Sequence, residues 1–402
     1  MRIKSVIIGK LTIPLIRPFI TAIRRTENVE DIVVIIKTDC GKIGYGSAAA
    51  TPLITGDSTE SIIGAIKNNI APKLIGKEIA GFSQLIKMNQ TSIQKNTSAK
   101  AAVDIALHDL FAKKCNLPLY QFLGGNTNQI KSCITISLKD KNEMAADAIE
   151  LVSLGFTTLK IKVGLNVVED MERIKAVYNA VKGIDCHANA RNDDHALHCK
   201  AHNDSNALPN EARNNNLNGI NLVVDANQGW DAKSSIQIIR QMEAEKLGII
   251  FVEQPVIAND FTNLKFIHDS VATPIFADES CFSVTDALNL AKLNAVSGVN
   301  IKLMKCAGIQ NAQAIYNIAK AANMQVMVGC MLESPIGVAA IASFAISKTD
   351  ICFADLDPIA LIKHNPIIGG ATLSQNTITL SDKPGLGIES LGSSFEQICE
   401  VK

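Results

Sequence analysis

From about residue 130 onward the chain repeats a single unit, and that repeat narrows its possible folds more than any other feature. Short apolar runs fall at 133–137, 158–163, 221–225, 248–252, 274–277, 299–302, 325–328 and 351–353, with stretches of helical period such as 142–154 and 167–181 between them. A run that is apolar at successive positions suits a strand buried on both faces. Parallel strands cannot be joined by a tight turn and need a crossover, which the helical stretches supply. Eight strands with intervening helices predict an α/β fold built on a parallel barrel.

Residues 1–125 have a different texture. Strand-like pieces at 4–14 and 31–39, the second followed by the turn Cys40-Gly41, precede helical patterns at 58–74, 82–88 and 98–114, the last opening on a Ser cap. This divides the chain into an α+β unit over 1–125, a barrel over 126–370, and a segment 371–402 that begins with a strand pattern at 371–380 and returns to the first unit. Aromatic residues make up only 4%, so Ile, Val, Leu and Ala must fill the cores.

Charged residues recur where the barrel strands should end: Lys162, Asp225, Glu253, Asp278 and Lys302. From Asp225 onward they are spaced 28, 25 and 24 residues apart, one strand–helix unit each. The 63 residues from Lys162 to Asp225 exceed one unit, by roughly 35 residues on the length of the others. The excess is a segment at 183–219 rich in Asn, His, Asp and Ala, whose polar composition predicts a disordered insertion. It holds Cys186, His187, His195, His198, Cys199 and His202. A zinc site is conceivable there, but the spacing matches no standard structural site.

The strand TLKIKVG, residues 158–164, carries two lysines. Side chains alternate faces along a strand, so Lys160 and Lys162 share one face. Exposed lysines can snorkel, but the inward face of a barrel is packed with apolar side chains, and two ammonium groups there are costly. Asp225, Glu253 and Asp278 end three consecutive strands. One such Asp alone would read as a helix cap. Three converging at the C-terminal mouth would repel without a cation between them, and an all-oxygen set favours a hard one, Mg2+. Lys162 and Lys302 lie across the mouth from each other. That arrangement suits a substrate carboxylate on Mg2+ with a lysine on each side of the adjacent carbon. One lysine would remove the α-proton and the other return one to the opposite face. The base must be a neutral amine, and burial, Mg2+ and Lys160 would push its pKa down.

In that order and spacing, KIK, DAN, EQP, ADES and Lys302 resemble the dipeptide epimerases of the muconate-lactonising subgroup of the enolase superfamily. The resemblance spans nearly the whole chain apart from the insertion. It implies a modified TIM barrel, (β/α)7β, under an N-terminal α+β capping domain. It implies Mg2+-dependent epimerisation of a dipeptide such as L-Ala-D-Glu or L-Ala-L-Glu, by two-base 1,1-proton transfer through an enediolate at the C-terminal residue. Lys162 and Lys302 are then the acid/bases, and Asp225, Glu253 and Asp278 the Mg2+ ligands, supported by Asn227. Lys160 would bind the substrate carboxylate and lower the pKa of Lys162. Thr135, Cys330 and Leu332 would line the substrate, and Glu333 would orient the site unless it only caps the helix near Pro335. Cys330 departs from the serine-sized residue common there. Asp355 and Asp357, two apart in FADLDPI, would grip the α-ammonium. PFITAIRRT resembles a lid in which Arg24, with Arg25 as the alternative, pairs with the side-chain carboxylate of the substrate Glu; TPLITGDS resembles a second lid loop.

Lys+Arg and Asp+Glu are both 39, which leaves no electrostatic case for nucleic acid or an anionic membrane. Ten cysteines without a CxxC suit reduced thiols in the cytoplasm. The N-terminal stretch lacks the pattern of a signal peptide, and no apolar run approaches a membrane span. The expectation is a cytoplasmic isomerase of murein peptide recycling, with the resemblance implying a homo-oligomer. Other reactions on this scaffold, namely muconate cycloisomerisation, o-succinylbenzoate synthesis and N-acylamino acid racemisation, use substrates with no free ammonium for Asp355 and Asp357. A catalytically dead binding protein predicts damage to the constellation, and none is visible.

Overall fold

The computed structural model describes residues 1–22, 24–184 and 219–402. The six His and Cys residues of the expected insertion, Cys186 to His202, lie outside the described residues. The chain opens with three antiparallel strands, β1 (Ile3–Ile20), β2 (Arg25–Thr38) and β3 (Ile43–Ala49). β1 and β2 run further than their apolar cores suggest, because the expected lid is itself paired: Phe19 sits opposite Thr26 and Ile20 opposite Arg25. β3, which reads IGYGSAA, has no strand signature in the sequence. Its glycines serve packing, since a Cβ on Gly46 would lie 2.0 Å from the Ala102 carbonyl oxygen of the helix Thr97–Lys114. That helix is not capped by Ser98, whose N–H instead donates to Asp57 Oδ2 at 2.8 Å. The second lid loop therefore caps the main helix of this unit.

After a short strand β4 (Gln129–Lys131) come the eight barrel strands: β5 (Ile134–Ile136), β6 (Thr158–Lys162), β7 (Asn221–Asp225), β8 (Ile249–Glu253), β9 (Ile275–Ala277), β10 (Gly298–Ile301), β11 (Gln325–Gly329) and β12 (Ile351–Asp355). They lie side by side in chain order, and every pair is parallel. Cys133 N–H donates to Ala354 O at 2.9 Å where the first strand meets the last. Val223, Phe251, Phe276 and Met327 form a separate buried cluster, with the Phe251 and Phe276 rings 4.4 Å apart. Leu159, Ile161 and Val163 join the larger core that includes the surrounding helices. Lys160 shares the register of Val223, which puts the two lysines of β6 on the inward face.

The tail divides. β13 (Ile368–Gly369) pairs with β16 (Ile388–Ser390), and β17 (Phe395–Val401) adds to β1. The strand pattern at 371–380 is a hairpin, β14 (Ala371–Ser374) and β15 (Thr377–Leu380), that pairs with β4 and not with the first unit. The return to the first sheet is made by β17 alone. Among the described residues no helix is long and apolar enough to cross a membrane.

Gly46→Val should separate β3 from its helix, at a cost on the order of 3 kcal/mol for overpacking. A urea midpoint equal to that of the unsubstituted protein would contradict this account of the cap.

Candidate active site

The barrel register brings the charged strand ends together. Lys162 is in register with Asp225, and Asp225 with Glu253. Lys162 Nζ lies 2.6 Å from Asp225 Oδ2, and Lys302 Nζ lies 2.7 Å from Asp278 Oδ2. Lys160 sits one layer deeper, fully buried, with its ammonium 3.0 Å from Asp225, 2.7 Å from Glu253 and 2.7 Å from Asp355. It does not line the cleft. Its position is that of a countercharge beneath the carboxylates, where the resemblance implies a contact with the substrate carboxylate.

These groups shift one another. Burial works against the charge on Asp225, yet Lys160 and Lys162 outweigh it and hold its carboxyl at about 2. Asp278 is likewise held low against burial, by Lys302 and Lys305. Burial, with Asp225 and Asp278 adding to it, pushes Glu253 up to about 7 despite Lys160. Burial followed by Asp278 takes Glu279 to about 8. Burial disfavours the Lys302 ammonium, but Asp278 more than compensates, and the amine stands above the ordinary lysine range. For Lys302 this is opposite to the lowering expected of a proton-abstracting lysine, because its carboxylate partner is in direct contact.

Among the described residues no three His, Cys, Asp or Glu side chains are gathered as a metal site; lysine ammonium groups sit between the carboxylates. The donor chemistry still suits a hard divalent cation. Six carboxylates (Asp225, Glu253, Asp278, Glu279, Asp355 and Asp357) face four ammonium groups (Lys160, Lys162, Lys302 and Lys305), a surplus of two negative charges. Glu253 Oε2, although 2.7 Å from Lys160 Nζ, accepts no directed hydrogen bond, and Glu279 Oε2 has no partner. Protons on Glu253 and Glu279 take up that surplus near neutral pH, which is the charge a divalent cation would supply.

The cleft above this layer is lined by Lys162, Lys302, Asn227, Glu279, Asp355 and Asp357 on the barrel side. Thr135, Cys330 and Leu332 also face it, while Phe19, Arg24 and Ile54 close it from the first unit. Thr135 N–H donates to Asp357 Oδ2 at 2.8 Å, and burial, with Asp355 behind it, pushes the Asp357 carboxyl up to about 6. Arg24 and Arg25 point different ways, and only Arg24 lines the cleft. Arg25 is exposed beside Glu27, whereas burial lowers the pKa of the Arg24 guanidinium, which no carboxylate reaches among the described residues. Glu333 is buried and holds the cleft loop from behind, accepting from Met331 N–H at 2.8 Å. The helix Pro335–Ile346 receives no side-chain cap from its own N-cap residue; Asp31 of β2 takes the Ser334 N–H at 2.8 Å.

Sequence reasoning missed three members of the layer. Glu279 follows Asp278 in the same ADES motif, but its neighbour's regular spacing drew the attention. Asn300 Nδ2 donates to Glu253 Oε1 at 2.8 Å, and Lys305 Nζ reaches Asp278 Oδ1 at 2.5 Å. Asn300 and Lys302 alternate along β10 just as the two lysines of β6 do, which was the available signal.

Residues 4–124 match the mandelate racemase / muconate lactonizing enzyme N-terminal domain, and residues 208–392 match the enolase C-terminal domain-like family. An L-Ala-D/L-Glu epimerase from Clostridium acetobutylicum is 41% identical over 98% of this chain and 100% of its own length. The substrate-liganded L-Ala-D/L-Glu epimerase from Bacillus subtilis superposes with a TM-score of 0.86 at 38% identity, covering 96% of this chain and 99% of that one. A dipeptide epimerase from Enterococcus faecalis, solved with Mg and L-Leu-L-Tyr, gives 0.85 at 35% identity over 97% and 100%.

A carboxyl whose folded value is raised, such as Glu253 or Glu279 against an ordinary 4.5, adds stability below its unfolded value and loses it as pH rises through the folded value. The cation-free protein should therefore lose thermal stability between about pH 4.5 and pH 8, and a divalent cation should remove most of that slope while releasing protons near pH 7. Melting curves with and without EDTA, and calorimetry in buffers of different ionisation enthalpy, check both; uptake rather than release of protons would contradict the charge assignment.

Proposed function

The chain belongs to the mandelate racemase / muconate lactonizing enzyme family, and within it we propose a Mg2+-dependent dipeptide epimerase acting on L-Ala-D-Glu and L-Ala-L-Glu. The observation that carries the reading is the pair of lysines on opposite walls of one cleft. β6 and β10 are four strands apart in a barrel of eight, so Lys162 and Lys302 approach a bound α-carbon from opposite faces. One holds the departing proton and the other delivers its replacement, and reversal exchanges the roles. Asp225, Glu253 and Asp278 would hold Mg2+, which neutralises the charge that develops on the substrate's terminal carboxylate as the α-proton leaves. The two lysines bond to two of these residues, Lys162 to Asp225 Oδ2 and Lys302 to Asp278 Oδ2. Lys160 and Lys305 keep those carboxylates charged from below, while Asn227 and Glu333 brace the loops around them.

The remaining cleft residues set the substrate. Asp355 and Asp357 receive the free α-ammonium, and Thr135 orients Asp357. Cys330 and Leu332 flank the peptide. Arg24, which lines the cleft and has no carboxylate partner among the described residues, suits the side-chain carboxylate of a C-terminal Glu. That substrate is a fragment of cell-wall peptide, which supports a role in cytoplasmic murein recycling; a homo-oligomeric assembly goes with the reading.

In D2O with Mg2+, deuterium should enter the Glu α-carbon of both dipeptides together with epimerisation, as read by NMR and chiral chromatography. Lys162→Ala should cut turnover by about 10³-fold, and EDTA should abolish it. Arg24→Met should lower kcat/KM for L-Ala-D-Glu by about 10²-fold while sparing a dipeptide with an apolar C-terminal residue. No exchange with any free-ammonium dipeptide would sink the assignment.

A further inference from the structure

Beyond the mouth of the barrel, the loops that follow β6 and β7 touch backbone to backbone. Gly164 comes two residues after Lys162, with φ +111, and a Cβ there would lie 2.1 Å from Ala226 O; a Cβ on Gly229 would lie 2.0 Å from Gly164 O. Asp170, on the helix Val167–Val181, bridges these two loops and is fully buried. Its Oδ2 accepts from Gly164 N–H at 2.9 Å and from Trp230 Nε1–H at 3.0 Å. Its Oδ1 accepts from Arg173 at 2.9 Å, and the same guanidinium donates to Lys139 O at 3.0 Å, beyond the end of β5. Both oxygens are thus committed to the rim, and Asp170 does not line the cleft.

A buried carboxylate is costly unless its bonds are complete; the first turn of its helix and Arg173 favour the charge, but the bonds to Gly164 and Trp230 reach outside the helix. What it does is fix a separation. Gly164 is two residues from the lysine, and Trp230 is five residues from Asp225. One oxygen atom holds the N–H groups of both loops, directly above the strand pair that sets the 2.6 Å contact between Lys162 and Asp225.

We propose that Asp170 is a positioning residue that fixes Lys162 relative to Asp225, and that it therefore serves proton transfer on one face of the substrate α-carbon only. The proposal rests on the epimerase reading above. Lys302 stands across the barrel on β10, and neither Asp170 nor Arg173 bonds to the loop that follows it. Losing Asp170 should displace one lysine and leave the other in place. Displacements of about 1 Å at a reacting group can cost 10²-fold in rate.

The two hands of the dipeptide present their α-proton to different lysines, so each hand reports on one of them. Exchange of that proton for deuterium is measured separately from L-Ala-L-Glu and L-Ala-D-Glu, with Mg2+, in the unsubstituted protein and in Lys162→Ala, Asp170→Asn and Trp230→Phe. Lys162→Ala identifies the hand that reports on Lys162. Asp170→Asn should slow exchange from that hand at least ~10-fold and from the other by less than ~3-fold. Trp230→Phe, which removes the indole N–H together with part of the ring but leaves the Asp170 carboxylate in place, should show a smaller loss with the same bias. It keeps the proposal testable if the Asp170 variant does not fold. A purely structural role would lower both hands together, and that result, or no change in either hand, overturns the proposal while leaving the epimerase reading intact. Failure of the unsubstituted protein to exchange either hand overturns the reading and the proposal with it.

Discussion

A layer of opposite charges sealed inside the barrel mouth governs this structure. An isolated buried carboxylate or ammonium group would be driven to its neutral form. Here Asp225, Glu253, Asp278 and Asp355 are each held in reach of an ammonium group, and Lys160 alone touches three carboxylates from three strands. The layer is not balanced, however, and its excess of negative charge appears as carboxyl groups that keep their protons to unusually high pH. The imbalance makes the site responsive to a cation, since a fully neutral layer would gain little from one.

The rest of the barrel serves to keep that layer in register. Successive rim loops are bonded to their neighbours: Gln228 N–H to Gln254 O, Trp230 N–H to Pro255 O, and Asp278 N–H to the Gln254 side chain. These bonds tie the loop after β8 to its neighbours on both sides. Aromatic packing below, from Phe251, Phe276 and Phe353, gives the charged groups an apolar floor. The low effective dielectric strengthens every pairing above it.

Much of this was legible in the sequence because its spacing is regular. The strand ends at Asp225, Glu253, Asp278 and Lys302 repeat with the strand–helix unit, and period-two alternation placed Lys160 and Lys162 on one face. The weaker inferences failed where tertiary contact overrides local pattern. β3 is held by a helix packed on its glycines, which sequence propensity scores against a strand. Ser98 looked like a cap, but Asp57 from forty-one residues earlier does the capping. The hairpin at 371–380 shows a strand pattern, yet nothing in that pattern specifies β4 as its partner. Lys160 was legible as buried, but whether it faced the cleft or the carboxylates depended on the depth of its layer.

The first unit meets the site through a long hairpin arm. β2 is pinned to the barrel where Asp31 takes the Ser334 N–H, and from there to Arg25 the hairpin extends about 20 Å at strand rise. Arg24 rides at the far end of that arm. The arm is tied again at its tip, where Ile20 N–H donates to Ser137 Oγ at 3.3 Å and Leu138 N–H donates to Ile20 O at 3.0 Å. Mechanically, Arg24 sits on a strut fastened to the barrel at both ends and separate in sequence from the charged floor. Changes to the strut's length or tip reach the cleft without touching the layer of charged groups beneath it.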